Sequence, residues 1–510
     1  MPAGLRRYLY GTAALTGAAI MIVEILGAKM LAPYVGTSHF VWTAQIAVTL
    51  VALAAGYYAG GKLVDRSPRL KHLYASILIA AVYLCGSVVV IRPVAYWCLD
   101  FRLALGSLLA SMFLFFVPLS LLAMVGPFFI RILTVSVSGV GGNVGRLTAL
   151  STLGSFAGTV LIGYVLIPFF PNSATMCGTA VLLMLVAGVY FFVWEKKSGS
   201  KSATVTTIVF GLLTGYAGVR QDSRHGSAET SELYRGNSNF GLLQVIDNKA
   251  GTVRYYLNDY LTQNSYDPSE RKSRALFTYM LHDLARAYTR QIDSALCIGL
   301  GMGIVPTQLA REGVKVDVVE INPAVLPVAK QYFDCEPERF RVVIDDGRHF
   351  INRATNRHDT ILLDAFLGDS SPSHLMTREA FDSMRRLLKP GGTLVINSFV
   401  DFHSGKDFFG ASLEKTLKAV FRTVRIHEGR NGNVFFVATD QPELKVFQQP
   451  DFDQVHLYCR ELARATFDTI VEANPQHGIV LTDRYNPVEF YDAANREAIR
   501  RNLAMSLRSL

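Results

Sequence analysis

Charge is what this 510-residue chain has little of: Asp, Glu, Lys and Arg together make up 18% of it, against about a quarter in an ordinary soluble domain. The shortfall lies almost entirely in the first 220 residues, which excludes a wholly soluble chain. Half of the residues are hydrophobic and mean hydropathy is +0.26. Cysteine is sparse and unpatterned. Cys85, Cys98, Cys177, Cys297, Cys335 and Cys459 form no C-x-x-C pair, so they read as small buried apolar residues and not as a disulfide frame or zinc site. No histidine or cysteine cluster has metal-ligand spacing, and no metal is expected. Internal repeats and low-complexity tracts are missing too. The net charge of +9 comes without an aromatic-interleaved basic stripe, so no nucleic acid is expected. Several basic residues sit instead in short loops between apolar runs, the pattern of cytoplasmic loops.

What the first 220 residues do contain is apolar runs. A bilayer-crossing helix needs about 20 residues, and seven stretches qualify: 9–31, 40–60, 73–91, 103–130, 147–170, 174–194 and 203–219. The first is too long, and too free of a small-residue cleavage site, to be a removed signal peptide. Glu24 and Lys29 fall inside it. Lys29 can snorkel to the interface, whereas Glu24 lies deeper, where an ionisable group is costly and marks a pair or a function. Gly56/Gly60 and Gly154/Gly158 form G-x-x-x-G pairs that let helices approach closely. The stretch from Gly60 to Arg66 (GGKLVDR) resembles the loop between the second and third helices of the major facilitator superfamily.

Arg6 and Arg7, the Lys62/Arg66/Arg69/Lys71 loop and the Lys196/Lys197/Lys201 loop belong in the cytoplasm by their charge. The loops 33–39 and 171–173 carry no Lys or Arg and fit the outside. Six crossings satisfy this pattern, and a seventh reverses the side of everything after it. The expectation is a multi-pass cell-membrane protein with a cytoplasmic soluble domain. This requires either an incomplete crossing at 203–219 or an extra one hidden in 103–133.

Residues 221–235 are polar and read as a linker. Period-2 alternation at 241–246 and 253–257 predicts a small β-element with a following helix over 236–290. From residue 294 short apolar runs (294–298, 316–320, 341–344, 360–364 and 393–397) alternate with helical segments. That predicts an open, mostly parallel α/β sheet of Rossmann-like type over 291–440. Residues 441–510 read as a helical extension. The fold class is therefore a membrane α-helical bundle followed by α/β.

The first strand of that sheet ends in Gly299-Leu300-Gly301-Met302-Gly303, a turn that lets a ligand approach the backbone. Glu320 ends the second strand, where a carboxylate accepts ribose hydroxyls. Asp345-Asp346-Gly347 follows the third, and Asp364 ends the fourth. Ligands in such sheets bind outside the carboxyl ends of the strands, and all of these acids fall there. A dinucleotide site shares the glycine turn but needs neither Asp346 nor Asp364.

These residues, with RVVIDDGRHFI, DTILLDAF and LKPGGTLVINSF in the stretch 340–399, resemble the spermidine synthase family of polyamine aminopropyltransferases, in the form fused to a membrane domain. The resemblance covers residues 234–439. It implies an S-adenosylmethionine-dependent transferase fold and a decarboxylated S-adenosylmethionine cosubstrate, with no tightly bound cofactor. It further implies ribose contact at Glu320, adenine contact at Asp345, Asp346 and Gly347, nucleoside or substrate contact at Gln263, and catalysis at Asp364. His282 keeps a family position on the cosubstrate side, and Asp369 stands near the family's second substrate carboxylate, whose own place is taken by Leu367. The resemblance breaks at Met302 and Thr278, where the family carries acids. The expected partners are a small amine such as putrescine, the lipid bilayer and a second copy of the chain. Two further readings stay open: methyl transfer from intact S-adenosylmethionine, favoured by Met302, and a transporter or sensor with a regulatory nucleoside domain, favoured by Glu24. Asp483 and Glu489, in the stretch LTDRYNPVE, could return to the pocket or close a surface turn.

Overall fold

The computed structural model describes all residues except 37–38, 135–138, 196–197, 224–229, 260, 367–371, 404 and 507–510. The chain divides into two compact units, Met1–His225 and Gly226–Leu510.

Seven helices of the first unit are long and apolar enough to cross a membrane: Ala3–Val35, Val41–Arg66, Leu70–Cys98, Leu103–Leu133, Val140–Phe169, Asn172–Val193 and Ser200–Gln221. Both G-x-x-x-G pairs sit where backbones touch. A Cβ on Gly56 would collide with Ser120 O, and one on Gly60 would lie 2.9 Å from Met124 Cα. Gly154 and Gly158 meet Ala14 and Ala18 in the same way. The fourth stretch runs through Pro118 and Pro127 as consecutive helical segments, with a π-helical turn at Met112–Phe116 and an interruption of the regular helix at Met124. The seventh is long and apolar enough to cross by its length and composition.

The second unit opens with a five-stranded antiparallel sheet, β1 (Thr230–Ser238), β2 (Gly241–Asn248), β3 (Arg254–Asn258), β4 (Leu261–Asp267) and β5 (Lys272–Ser273), paired in sequence order. Residues 230–235, expected as linker, are the first part of β1. That strand pairs only with β2 and keeps much of its surface half-exposed, so it needs no apolar alternation.

The helix Leu276–Tyr288 leads into an eight-stranded sheet, made of β6 (Ser294–Ile298), β7 (Lys315–Glu320), β8 (Arg341–Ile344), β9 (His358–Leu363), β10 (Leu388–Phe399), β11 (Thr423–Glu428), β12 (Asn433–Thr439) and β13 (Ile470–Val471). Its order is β13-β11-β12-β10-β9-β6-β7-β8. The strands from β8 to β10 are parallel, and β12, β11 and β13 are antiparallel. This is a Rossmann-like sheet, with helices between its parallel strands. The central runs are apolar because both faces are covered: in β6, Ala295 and Cys297 enter one core, Leu296 and Ile298 the other. Strand β13 comes from residues 441–510, so this extension completes the sheet edge and is not purely helical.

The extension is also tied to the small sheet. His456 accepts the Tyr458 N–H through Nδ1 at 3.1 Å and turns Nε2 toward Asp267 at 3.3 Å. Glu270 completes a three-residue group with the spacing of a metal site. The Nδ1 lone pair is occupied, however, so in the neutral ring Nε2 carries the proton and offers no lone pair to a metal.

Candidate active site

The chain crosses from β8 back to β9 on the other side of β6, so the order reverses between β6 and β9. A crevice opens at such a switch point, outside the carboxyl ends of the strands. Here it is a cavity of about 250 Å³ lined by Gln263, Gly299, Gly301, Glu320, Asp345, Asp346, Gly347 and Asp364 among others. His374 is its one basic side chain among the described residues, and no Lys or Arg reaches it. Four carboxyl groups facing so little positive charge make a site for a cationic ligand.

The glycine loop is fixed by its contacts. Gly299 has φ +101°, and a Cβ on it would collide with the Asp364 carbonyl. Gly301 also has positive φ, and the space where its Cβ would stand is open. Gly303, at φ +70°, caps the helix Ile304–Arg311 and does not line the crevice. Glu320 holds the loop from the next strand. Its Oε2 accepts from Leu300 N at 3.0 Å and its Oε1 from Asn322 N at 2.8 Å. Burial raises the Glu320 pKa, with these N–H groups working against the rise. Glu320 also lines the cavity, with acceptor capacity beyond these two bonds.

Asp345 and Asp346 are held differently. The His349 imidazole beside Asp345, 2.8 Å away, lowers that carboxyl's pKa. Asp346 caps the helix Gly347–Arg353 by accepting from His349 N at 3.0 Å, and its other oxygen meets His374 at 3.3 Å. A Cβ on Gly347 would stand 2.8 Å from Ile298 Cγ2, so only glycine leaves the slot beside Asp346 open.

Asp364 follows β9 directly. It is partly exposed and lines the crevice. Burial pushes its pKa up to about 6, against the Asn397 amide that donates to Oδ1 at 2.9 Å. Asn397 is itself oriented by Asn433, whose Nδ2 donates to Asn397 Oδ1 at 3.0 Å. Both asparagines are buried. Sequence reasoning missed this relay, because Asn433 reaches Asn397 only through the antiparallel pairing of β10 with β12. The one available signal was two asparagines inside otherwise apolar strands.

Gln263 lies on β4 in the cavity wall. His282 does not line the crevice, contrary to expectation. It faces a second cavity of about 480 Å³ and is bonded to Asp283 at 2.9 Å and Glu312 at 2.8 Å. Burial disfavours its charge, but the two carboxylates outweigh this and raise its pKa to about 9. It lies one helical turn beyond Thr278, and that turn carries it past the site. Asp369 lies outside the described residues, as does Leu367. Met302 and Thr278 are buried, and the Thr278 hydroxyl is spent on Ala275 O at 2.9 Å. Asp483 does not enter the cavity. It pairs with Arg348 at 2.6 Å and accepts from Thr377, bracing the helix behind Asp346, while Thr482 and Tyr485 close a turn around it.

The spermine/spermidine synthase domain matches residues 275–427. A polyamine aminopropyltransferase of Vibrio vulnificus is 40% identical over 140 residues, covering 26% of this chain and 46% of that protein. An N-terminal histidine N-methyltransferase of Emericella nidulans is 30% identical over 249 residues, covering 44% of this chain and 41% of that protein. A spermidine synthase crystal structure from Thermotoga maritima aligns at 19% identity with a TM-score of 0.37, over 47% of this chain and 84% of that one. The chain spans about half the length of the curated relatives it matches first.

Proposed function

We propose that this chain, whose C-terminal part carries a spermine/spermidine synthase domain, is a membrane-tethered transferase that moves an aminopropyl group from decarboxylated S-adenosylmethionine to a diamine such as putrescine. The observation that carries the reading is Asp364. It is a carboxyl with a proton affinity near neutrality, aimed by Asn397 into a crevice without Lys or Arg, beside a glycine loop pinned by Glu320.

The nucleoside lies with its ribose on Glu320 and its adenine between Asp346 and Gly347. The neutral amine of the acceptor attacks the methylene carbon next to the sulfonium. A C–N bond forms as the C–S bond breaks, and the electron pair leaves on sulfur as methylthioadenosine. The new ammonium releases its proton to Asp364. A carboxylate there also favours the positive charge of both reactants. Purified full-length protein given the decarboxylated nucleoside and putrescine should release methylthioadenosine. Release of none with any diamine would sink this reading.

A second reading, methyl transfer from intact S-adenosylmethionine, has its own support. Met302 and Thr278 leave the donor's amino-acid end without an acid, and a methyltransferase stands among the relatives. S-adenosylhomocysteine as the product would establish it.

The seven helices supply the tether. The basic loops fit a cytoplasmic N-terminus, and the reading keeps the second unit in the cytoplasm as well, which requires that the helix Ser200–Gln221 not cross completely or that the stretch 103–133 cross twice. A reporter at the C-terminus that is active only outside the cytoplasm would contradict this. A small amine, the bilayer and a second copy of the chain are the partners it allows.

A further inference from the structure

Polar side chains that the transferase site does not use gather within the helical bundle. Glu24, on the helix Ala3–Val35, lies within hydrogen-bonding reach of Thr49 on the helix His39–Arg66. One turn beyond Glu24 stands Gly27. A Cβ there would meet Gln45 Nε2 at 2.9 Å and Phe115 Cε2 at 3.0 Å, so the Gln45 amide rests against bare backbone. Gln45 is 0% exposed, and neither its Nε2 nor its Oε1 has a hydrogen-bond partner. The third wall is the helix Leu103–Leu133. Ser111 is also 0% exposed with an unpartnered Oγ. It directly precedes the π-helical turn Met112–Phe116, and Phe115 of that turn is the ring against Gly27. Single π-turns inside helices occur mostly at functional sites.

An unpartnered amide in apolar surroundings is costly, and more so where no water is at hand. A leucine would fit a purely structural role better. Thr49 donates to Gln45 O at 2.9 Å, and its hydroxyl also lies within hydrogen-bonding reach of Glu24. A carboxyl and a hydroxyl oxygen facing one another are bridged by a proton or by a cation. The Glu24 carboxyl, Gln45 Oε1 and Thr49 Oγ1 make a set dominated by acceptors, Ser111 Oγ stands one turn before Phe115 on the neighbouring helix, and Glu24 has no ion pair with any described residue.

We propose that Glu24, Gln45, Thr49 and Ser111 form a binding site for a small monovalent cation inside the helical bundle. Oxygen ligands of this kind take a hard inorganic cation or a protonated primary amine. An ionisable group at this depth is the usual mark of an ion site. The site is independent of the chemistry at Asp364.

The test uses the full chain in lipid nanodiscs, with radiolabelled sodium in one arm and radiolabelled methylammonium in the other. One of the two should bind saturably. Glu24→Gln should weaken that binding by about tenfold or more, since hydrogen bonds to charged groups are the strong ones. Gln45→Leu should also weaken it while raising thermal stability, which no purely structural role would produce. Ser111→Ala removes one hydroxyl and keeps the test alive if the other variants do not fold; monodisperse elution and a cooperative thermal transition of the helical signal show which variants are intact. Saturation with sodium identifies an inorganic cation, and saturation with methylammonium an amine. No saturable binding of either ion by the unaltered protein, or binding unchanged in folded variants, would overturn the proposal.

Discussion

The two ends of the crevice are built in opposite ways. At the nucleoside end every carboxylate is already engaged: Glu320 by two backbone N–H groups, Asp346 as a helix cap, Asp345 by His349. At the amine end Asp364 has one donor, Asn397, and its neighbours Met302 and Thr278 are neutral. The first end is pre-organised by the fold and needs no ligand to be stable. The second holds a carboxyl whose proton affinity has been raised, which is what proton transfer near neutral pH asks for. On the proposed transferase reading, the first end selects the class of donor and the second selects the group that is transferred.

Substitutions can break this contrast. The largest effect should come from Asp364→Asn, which keeps volume and the bond to Asn397 but cannot accept a proton. Steady-state turnover should fall about 10²–10⁴-fold, while nucleoside affinity by calorimetry changes only a few-fold. Glu320→Gln should show the reverse. Its amide would turn an N–H toward Leu300 N or Asn322 N, and loss of hydrogen bonds to a charged group costs about 1.5–3 kcal/mol. Nucleoside affinity should weaken about 10–100-fold, and kcat at saturation should move far less. Met302→Asp sharpens the amine end. A carboxylate there attracts a terminal ammonium and repels a terminal carboxylate, so competition binding should shift about tenfold toward the decarboxylated donor.

Stability gives the smallest effect, with a definite sign. The Asp364 pKa is raised from 3.8 to about 6 on folding. The folded state thus binds the proton more tightly, and its advantage is complete below pH 3.8 and lost as pH rises through about 6. Above that, the ionised carboxyl costs up to about 3 kcal/mol. Asp364→Asn should therefore be the more stable protein in urea titrations at pH 8, by about 1–3 kcal/mol, and the gap should close toward pH 4. A residue that merely capped a strand or helix end would lose about 0.5–2 kcal/mol instead.

Much of this was legible in the sequence because strand ends are legible. The parallel strands are largely apolar runs, buried on both faces except at the edge strand Arg341–Ile344, and the residue that stops each of the first four runs lies at the carboxyl edge of the sheet: Gly299, Glu320, Asp345, Asp364. The seven long helices were legible for the same reason, as runs of apolar residues. What was hidden depends on chain segments that meet only in three dimensions. β1 and β4 carry polar residues along half-exposed or edge-paired surfaces and show little alternation. The Asn433–Asn397–Asp364 relay needs the β10–β12 register. His282 shares a helix with Thr278, but the place of a side chain one turn along is decided by its ion partner Glu312, which comes from another helix.

The most direct test of Asp364 as the proton acceptor is the pH dependence of kcat/KM for the unaltered protein set against Asp364→Asn. The amine's own ionisation affects both alike, so the difference isolates the carboxyl. The account predicts a break near pH 6 in the unaltered protein, below which the rate falls about tenfold per pH unit, and no such break in the variant. Parallel profiles from pH 5 to 8 would contradict it.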